Sequence, residues 1–140
     1  MLLLLDTNVL IYWLERPADS ELSTLPLFAA IHAGRYRALV SEVSIGEFVA
    51  GRPERDSSRA AGILLQPLAE ISNLGVVPVS LHVWIQAGSR RAKSGVLGLI
   101  DCVLVATARL AGADALVTAD RRLAAARIGV KVLTWPGWRP

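Results

Sequence analysis

The sequence predicts an α/β fold of three layers, in which about five mostly parallel strands form a sheet with helices on both faces. Short apolar runs recur along the chain, and longer stretches with helical periodicity separate them. Strands that alternate with helices in this way favour a parallel sheet. The first run, four leucines at residues 2–5, carries no polar residue, as expected for a strand covered on both faces.

Five strands and seven helical segments are expected in alternation. The strands are expected at residues 2–5, 38–41, 76–79, 115–117 and 130–133. The helices are expected at residues 7–14, 25–33, 42 to about 51, 56 onward, 80–92, 100–110 and 121–127. Polar or glycine-containing segments at residues 17–23 and 93–98 are expected to form a turn and a loop.

Capping residues indicate where two of these helices begin. Asp6 or Thr7 can cap the first helix, because short polar side chains accept hydrogen bonds from the free N–H groups of a first turn. Ser41 can cap the helix that follows the second strand in the same way. Ser44 and Glu47 also fit a capping box inside that helix.

Other residues are expected to end or interrupt helices. Gly34 and Gly112 each follow a helical stretch and are suited to its C-terminal end. Pro67 is expected to break or kink its helix, because proline lacks the backbone N–H and clashes with the preceding turn. The aromatic residues Trp135 and Trp138 flank a Pro-Gly turn and are expected to pack onto the domain.

The composition indicates one ordinary globular domain over residues 1–140. The chain is 53% apolar and 19% charged, with a net charge of +3. The apolar share excludes a disordered chain and predicts apolar surface left for a partner or second copy. The single cysteine, Cys102, cannot form an internal disulfide and is expected to fill the core. A cytoplasmic location is expected, with no signal peptide, no membrane span and no membrane partner.

Four acidic residues lie where a predicted strand ends or a helix begins: Asp6, Glu47, Asp101 and Asp120. In a parallel α/β sheet such positions converge on the edge where ligands bind. Four carboxylates in one cleft would repel each other, and a divalent cation would offset that repulsion. Mg²⁺ and Mn²⁺ prefer oxygen ligands, so the sequence predicts a metal-dependent enzyme.

Four motifs resemble those of PIN domains, in the same order and at similar spacing. Leu-Asp-Thr-Asn at residues 5–8 resembles the opening motif, and Val-Ser at 40–41 with Glu-Phe at 47–48 resembles the second acidic position. Asp-Cys-Val-Leu-Val-Ala at residues 101–106 resembles the third. The segment 113–120, which ends in Thr-Ala-Asp, resembles the fourth. The resemblance covers nearly the whole chain.

The length and the lack of extra domains look most like the VapC toxins of toxin–antitoxin pairs. The resemblance implies a PIN-like sheet of five parallel strands between helices. It also implies an endoribonuclease that depends on Mg²⁺ or Mn²⁺ and hydrolyses RNA phosphodiester bonds with metal-activated water. The implied partners are an RNA substrate, a cognate antitoxin protein and a second copy in a homodimer, for which the first helices offer apolar positions.

The resemblance also assigns roles to individual residues. Asp6 and Asp101 are expected to bind the metal directly, while Glu47 and Asp120 bind a second ion or orient the attacking water. Three polar residues are expected to support them, namely Thr7, Asn8 and Thr118. Five basic residues near the motifs are candidates to hold the RNA backbone, although they could equally be solvated surface or antitoxin contacts: Arg90, Arg91, Lys93, Arg121 and Arg122.

Each carboxylate also has a purely structural interpretation. Asp6 and Asp120 could be helix N-caps, Asp101 could complement a helix dipole, and Glu47 could complete a capping box. Two other functions remain open as well. One is a PIN-like module that only binds RNA or protein. The other is a metal-dependent phosphohydrolase with an aspartyl nucleophile, which usually has a second Asp where this chain has Asn8.

Overall fold

The computed structural model describes residues 1–93 and 95–140, so Ser94 of the predicted loop at 93–98 lies outside the described residues. It contains one sheet of five parallel strands in the order β3-β2-β1-β4-β5. The strands are β1 (Leu2–Leu5), β2 (Arg37–Ser41), β3 (Leu74–Val77), β4 (Ala115–Thr118) and β5 (Lys131–Thr134). The predicted α/β class and parallel sheet are confirmed.

Helices flank the sheet on both faces. Those in the described part of the chain are α1 (Thr7–Glu15), α2 (Leu25–His32), α3 (Glu42–Ala50), α4 (Glu54–Ala69), α5 (Leu81–Lys93), α6 (Leu99–Leu110) and α7 (Arg121–Ala125). Each expected helix is present, with ends that differ by a few residues. Gly34 and Gly112 follow α2 and α6 with positive φ angles of 80° and 65°, as the sequence predicts for helix ends.

Successive residues of β1 supply two separate cores. Leu3 and Leu5 belong to a cluster that includes apolar residues of α1 to α4, whereas Leu4 belongs to a cluster with residues of α5, α6 and α7. All three leucines are fully buried. Because side chains alternate across a strand, a continuous apolar run is what a central strand between two helical layers requires. Cys102 is buried in the second cluster, as expected for a core residue.

Two predicted boundaries and one predicted interruption are wrong. β3 begins at Leu74 and ends at Val77, two residues earlier than expected, because Pro78 lacks the N–H that would continue the ladder. Helix α4 begins at Glu54 rather than at residue 56, and it runs through Pro67 without a break and ends at Ala69. Pro67 has no N–H to donate to the carbonyl of Ile63, and α4 ends two residues after it.

The predicted capping box of Ser44 and Glu47 is also wrong. The N-cap of α3 is Ser41, whose hydroxyl accepts from the backbone N–H of Val43 at 3.4 Å. Ser44 lies in the first turn of the helix and is fully buried. The true cap, Ser41, lies one turn before Ser44. Glu47 therefore takes no part in capping, and its side chain is free for other contacts.

The C-terminal tail packs onto the domain as predicted. Trp135 is 1% exposed and donates from Nε1 to the carbonyl of Leu22 at 3.1 Å. The Trp138 ring meets Tyr36 edge to face with centroids 5.8 Å apart. Within residues 1–93 and 95–140, no helix is both long and apolar enough to span a membrane.

Exposed apolar side chains are present, as the composition predicts, but few lie on the first helices. They are concentrated on α5, where Leu81 and Ile85 are 76% and 60% exposed, and on neighbouring Val96, which is 74% exposed. The apolar residues 11–14 of α1 are instead partly buried against the core. The apolar surface left for a partner therefore lies mainly on the α5 side of the sheet.

The strand order places a topological switch point at the centre of the sheet. The chain moves from β1 outward through β2 to β3, and then returns to the opposite side of β1 for β4 and β5. Open α/β sheets bind ligands outside the carboxyl ends of the strands at such a point. The first and fourth acidic motifs follow β1 and β4, the two strands that border it.

Candidate active site

Asp6 lies at the switch point, directly after β1. Its backbone N–H continues the sheet by donating to the carbonyl of Val117 on β4 at 3.0 Å. Its Oδ1 accepts from the backbone N–H of Thr7 at 2.7 Å, so Asp6 is the N-cap of α1. Its Oδ2 accepts from the side chains of Asn8 at 2.7 Å and Thr118 at 2.6 Å. The carboxylate is fixed from three sides.

Burial makes the Asp6 carboxylate costly to ionise. The residue is 6% exposed, and this desolvation raises its pKa from 3.8 to about 6, against the opposing effect of its hydrogen bonds. The negative charge of Glu47 also raises this pKa, so the two carboxylates are close enough to repel each other. A buried carboxylate whose charge is poorly compensated is typical of functional sites.

Glu47 is connected to the same position through Thr7. The hydroxyl of Thr7 donates to Oε2 of Glu47 at 2.5 Å, which joins α3 to the first turn of α1. Glu47 is half-buried, one turn from the C-terminal end of its helix. The structural interpretation of Glu47 as a capping residue therefore fails, and its carboxylate instead faces the Asp6 motif.

Asp120 follows β4 and is the N-cap of α7. Its Oδ1 accepts from the backbone N–H of Arg122 at 2.7 Å. The Arg122 guanidinium donates to both carboxylate oxygens, from Nη2 to Oδ2 at 2.9 Å and from Nε to Oδ1 at 3.4 Å. These hydrogen bonds from Arg122 lower the pKa of Asp120.

Asp101 lies in the first turn of α6. Its Oδ2 accepts from the backbone N–H of Gly98 at 3.2 Å, so it satisfies a free N–H and complements the helix dipole. Its charge contributes to raising the pKa of Arg122, after the effects of Asp120.

The four predicted carboxylates are not held together in one group. Asp6 and Glu47 are linked through Thr7, Asp120 is engaged by Arg122, and Asp101 accepts from Gly98. In the part of the chain that the structure describes, no three His, Cys, Asp or Glu side chains come together as a group that could hold a metal ion. The sequence predicts one cluster, whereas only Asp6 and Glu47 are linked through a shared hydrogen-bond partner.

The donor set nevertheless fits Mg²⁺ or Mn²⁺ chemically. The side chains at the edge offer carboxylate and hydroxyl oxygens, which are the ligands that these hard cations take. The buried carboxylate of Asp6 would also gain from a nearby positive charge, because burial opposes its ionisation. Three of the four acidic residues also cap or complement a helix, so the structural and functional interpretations coexist.

The predicted supporting residues form a continuous network. Asn8 donates to Asp6, and its Oδ1 accepts from the backbone N–H of Ala119 at 2.8 Å. The Thr118 hydroxyl donates to Asp6 and accepts from the backbone N–H of Asp120 at 2.9 Å. Asn8 and Thr118 fix the ends of β1 and β4 relative to each other, and Thr7 links the same position to Glu47, so the structure brings these three residues together as predicted.

The predicted RNA-binding residues are not equivalent. Arg90 is half-buried and donates from Nη2 to the carbonyl of Ile128 at 3.0 Å, so it connects α5 to the segment after α7. Arg91, Lys93 and Arg121 are exposed. Arg90 and Lys93 also line a cavity of about 540 Å³ between α5 and α6, whose lining includes none of the four acidic residues.

Two features of the site were not apparent in the sequence. The first is the position of Ser44, one turn before Glu47, whose buried Oγ finds no hydrogen-bond partner among the described residues. The second is the contact of Arg122 with Asp120, whereas the sequence suggested a role for Arg122 in RNA binding. Only the two-residue spacing from the N-cap could have indicated this contact.

Comparisons with solved structures agree with this architecture. A chain of VapBC2 from Rickettsia felis, solved with a DNA fragment from its promoter, superposes with a TM-score of 0.68 at 18% identity, over 96% of this chain and 99% of that one. For DNA-bound VapBC from Salmonella typhimurium the TM-score is 0.67 at 23% identity, again over 96% and 99%. For a toxin–antitoxin complex from Klebsiella pneumoniae it is 0.64 at 21% identity, over 94% and 95%.

Sequence comparison identifies the family. No curated protein sequence matches the chain. The family model described as the PIN domain matches residues 3–129. That range contains all of β1 except its first residue, β2 to β4, α1 to α7 and the four acidic positions. The chain therefore belongs to the PIN domain family.

Proposed function

We propose that this protein is a Mg²⁺- or Mn²⁺-dependent endoribonuclease that acts as the toxin of a type II toxin–antitoxin pair. The observation that carries the proposal is the buried Asp6 carboxylate at the switch point, with Glu47 beside it and a raised pKa. Burial of this ionisable carboxylate costs stability, and a cation bound beside it would offset that cost. The similarity of the fold to chains from toxin–antitoxin complexes supports the biological role.

The four acidic residues would have different roles in the reaction. Asp6 and Asp101 would bind the metal, and Glu47 and Asp120 would hold a second ion or orient the attacking water. When bound, the metal would supply an activated water and offset negative charge on the phosphoryl oxygens. Asn8 would keep Asp6 in its orientation, because a site that is loose by about 1 Å loses much of its rate.

Exposed basic and apolar side chains indicate where the RNA substrate and the protein partners would bind. Arg91, Lys93 and Arg121 are exposed cations that would hold the RNA backbone, with an affinity that weakens as salt rises. An antitoxin and a second copy of the chain would cover apolar surface such as Leu81 and Ile85 on α5.

A PIN-like module that only binds RNA or protein is the second candidate. The four carboxylates form no group of three in the described residues, and this favours it. The two functions can be distinguished by measurement. A binding module needs no metal, and it tolerates the loss of the Asp6 charge.

Growth of a bacterial host that expresses the protein from an inducible promoter tests the proposal. Arrest is expected for the wild type and for Asp19→Asn, which removes an exposed carboxylate in the turn after α1. Asp6→Asn and Asp101→Asn should restore growth at equal protein levels. Arrest that persists in both site variants would contradict a nuclease that uses these carboxylates.

A further inference from the structure

Both side-chain oxygens of Asp120 are already engaged by a cation of the chain itself. Oδ1 accepts from the backbone N–H and Nε of Arg122, and Oδ2 accepts from Nη2 at 2.9 Å. Such a fork is the geometry in which a guanidinium best matches a carboxylate. A divalent cation at Asp120 would therefore have to compete with the guanidinium for the same oxygens.

The guanidinium can leave without disturbing the fold. The Arg122 side chain is 77% exposed, whereas that of Asp120 is 24% exposed. No core packing holds Arg122 in place, and exposed ion pairs are weak. The backbone N–H of Arg122 would keep capping Oδ1 after the side chain moves away.

We propose, on the basis of the proposed function, that Arg122 is a positioning residue that acts as an internal counter-ion. It occupies Asp120 in the metal-free protein and must be displaced before a divalent cation binds there. At low metal concentration the Arg122 guanidinium keeps solvent cations from the Asp120 carboxylate. Arg122 therefore sets the metal concentration at which Asp120 binds a divalent cation.

Arg121 provides a matched control. It precedes Arg122 in the chain, is also exposed, and carries the same charge. No ion pair or side-chain hydrogen bond of Arg121 is found in residues 1–93 and 95–140. Arg121→Ala and Arg122→Ala therefore change the net charge equally, so any difference between them reports the contact with Asp120 rather than the overall electrostatic field.

Titration calorimetry with Mn²⁺ on the purified chain tests the proposal. Arg122→Ala should bind Mn²⁺ about 1.5- to fivefold more tightly than Arg121→Ala, a range that reflects the weakness of exposed ion pairs. Arg122→Lys should fall between Arg122→Ala and the wild type, because lysine keeps the charge but cannot form the fork. Equal affinities for all four proteins would overturn the proposal while leaving the metal site intact.

Nuclear magnetic resonance gives a readout that a purely structural role would not change. The Nε–Hε signal of Arg122, assigned by its loss in Arg122→Ala, should move when diamagnetic Mg²⁺ saturates the wild type. Binding of Mg²⁺ with this signal unmoved would overturn the proposal. If neither metal binds to any of the proteins, the proposed metal-dependent function itself fails. That outcome differs from the previous one, in which Mg²⁺ binds and Arg122 does not respond.

Discussion

Replacing Asp6 by Asn should make the metal-free protein more stable near neutral pH. The folded state raises the pKa of Asp6 from 3.8 to about 6, so ionisation is harder in the folded protein than in the unfolded chain. At about 1.36 kcal/mol per pH unit, the difference corresponds to about 3 kcal/mol of lost stability above pH 6. The amide cannot ionise, so this cost disappears.

The sign of the pH dependence follows from proton binding. Below pH 3.8 both states of the wild type hold the proton, and Asp6 has no effect on stability. As pH rises through the interval between 3.8 and about 6, the unfolded chain releases its proton first, so stability falls. The advantage of Asp6→Asn should therefore increase by about 1.4 kcal/mol between pH 5 and pH 7.5.

The net gain in stability of Asp6→Asn will be smaller than the electrostatic cost that the substitution removes. Oδ2 of Asp6 accepts from both Asn8 and Thr118, and an amide nitrogen in that place would face the Asn8 amide as a second donor. One lost hydrogen bond costs about 1 kcal/mol, which leaves a net gain of about 1–2 kcal/mol at pH 7.5.

Urea denaturation in EDTA at pH 5 and pH 7.5 measures this difference. Asp19→Asn is the control, because it removes an exposed carboxylate and should keep the pH dependence of the wild type. If the free energy of unfolding of Asp6→Asn changed with pH as steeply as that of the wild type, the reasoning about the buried carboxylate would be refuted.

Three further substitutions test the network around the site. Ser44→Ala removes a buried hydroxyl that has no partner among the described residues and should leave stability unchanged or raise it by up to about 1 kcal/mol in urea denaturation; a loss above about 1 kcal/mol would show that the hydroxyl is satisfied. Thr118→Val keeps the shape but removes the donor to Asp6, so it should cost about 1–2 kcal/mol and raise the pKa of Asp6 further, as followed by carbon-detected titration of the carboxyl. An unchanged pKa would count against that hydrogen bond. Arg91→Ala removes an exposed cation and should lower the slope of RNA affinity against salt by about one charge, measured by fluorescence anisotropy in EDTA; an identical slope would remove Arg91 from the RNA surface.

The order of the strands and helices was predictable because the apolar runs are short and separated by clear helical stretches. The four leucines of β1, a short run that ends at Asp6, are typical of a strand covered on both faces. The position of β3 was harder, because the apolar residues continue to Val79 and periodicity alone favours 76–79. Pro78 ends the ladder at Val77, a signal that was present in the sequence and outweighed by the run of valines.

The site was predictable in its positions but not in its contacts. The pattern predicts that Asp6 and Asp120 lie at the same edge of the sheet. That they follow adjacent strands, β1 and β4, is known from the structure. The pattern Ser44-x-x-Glu47 imitates a capping box because it lies one turn after the true cap, Ser41. The pairing of Arg122 depends on side-chain conformation, which a sequence pattern does not specify.

Cleavage of total RNA by the purified protein, freed of any partner, tests the central claim most directly. The reaction is run with Mg²⁺ or Mn²⁺, with EDTA, and with Asp6→Asn as the control. We expect discrete fragments that require the metal and are absent in the variant. Fragments of equal yield in EDTA or from Asp6→Asn would contradict metal-dependent cleavage at this edge of the sheet, as would the absence of any fragment from the wild type.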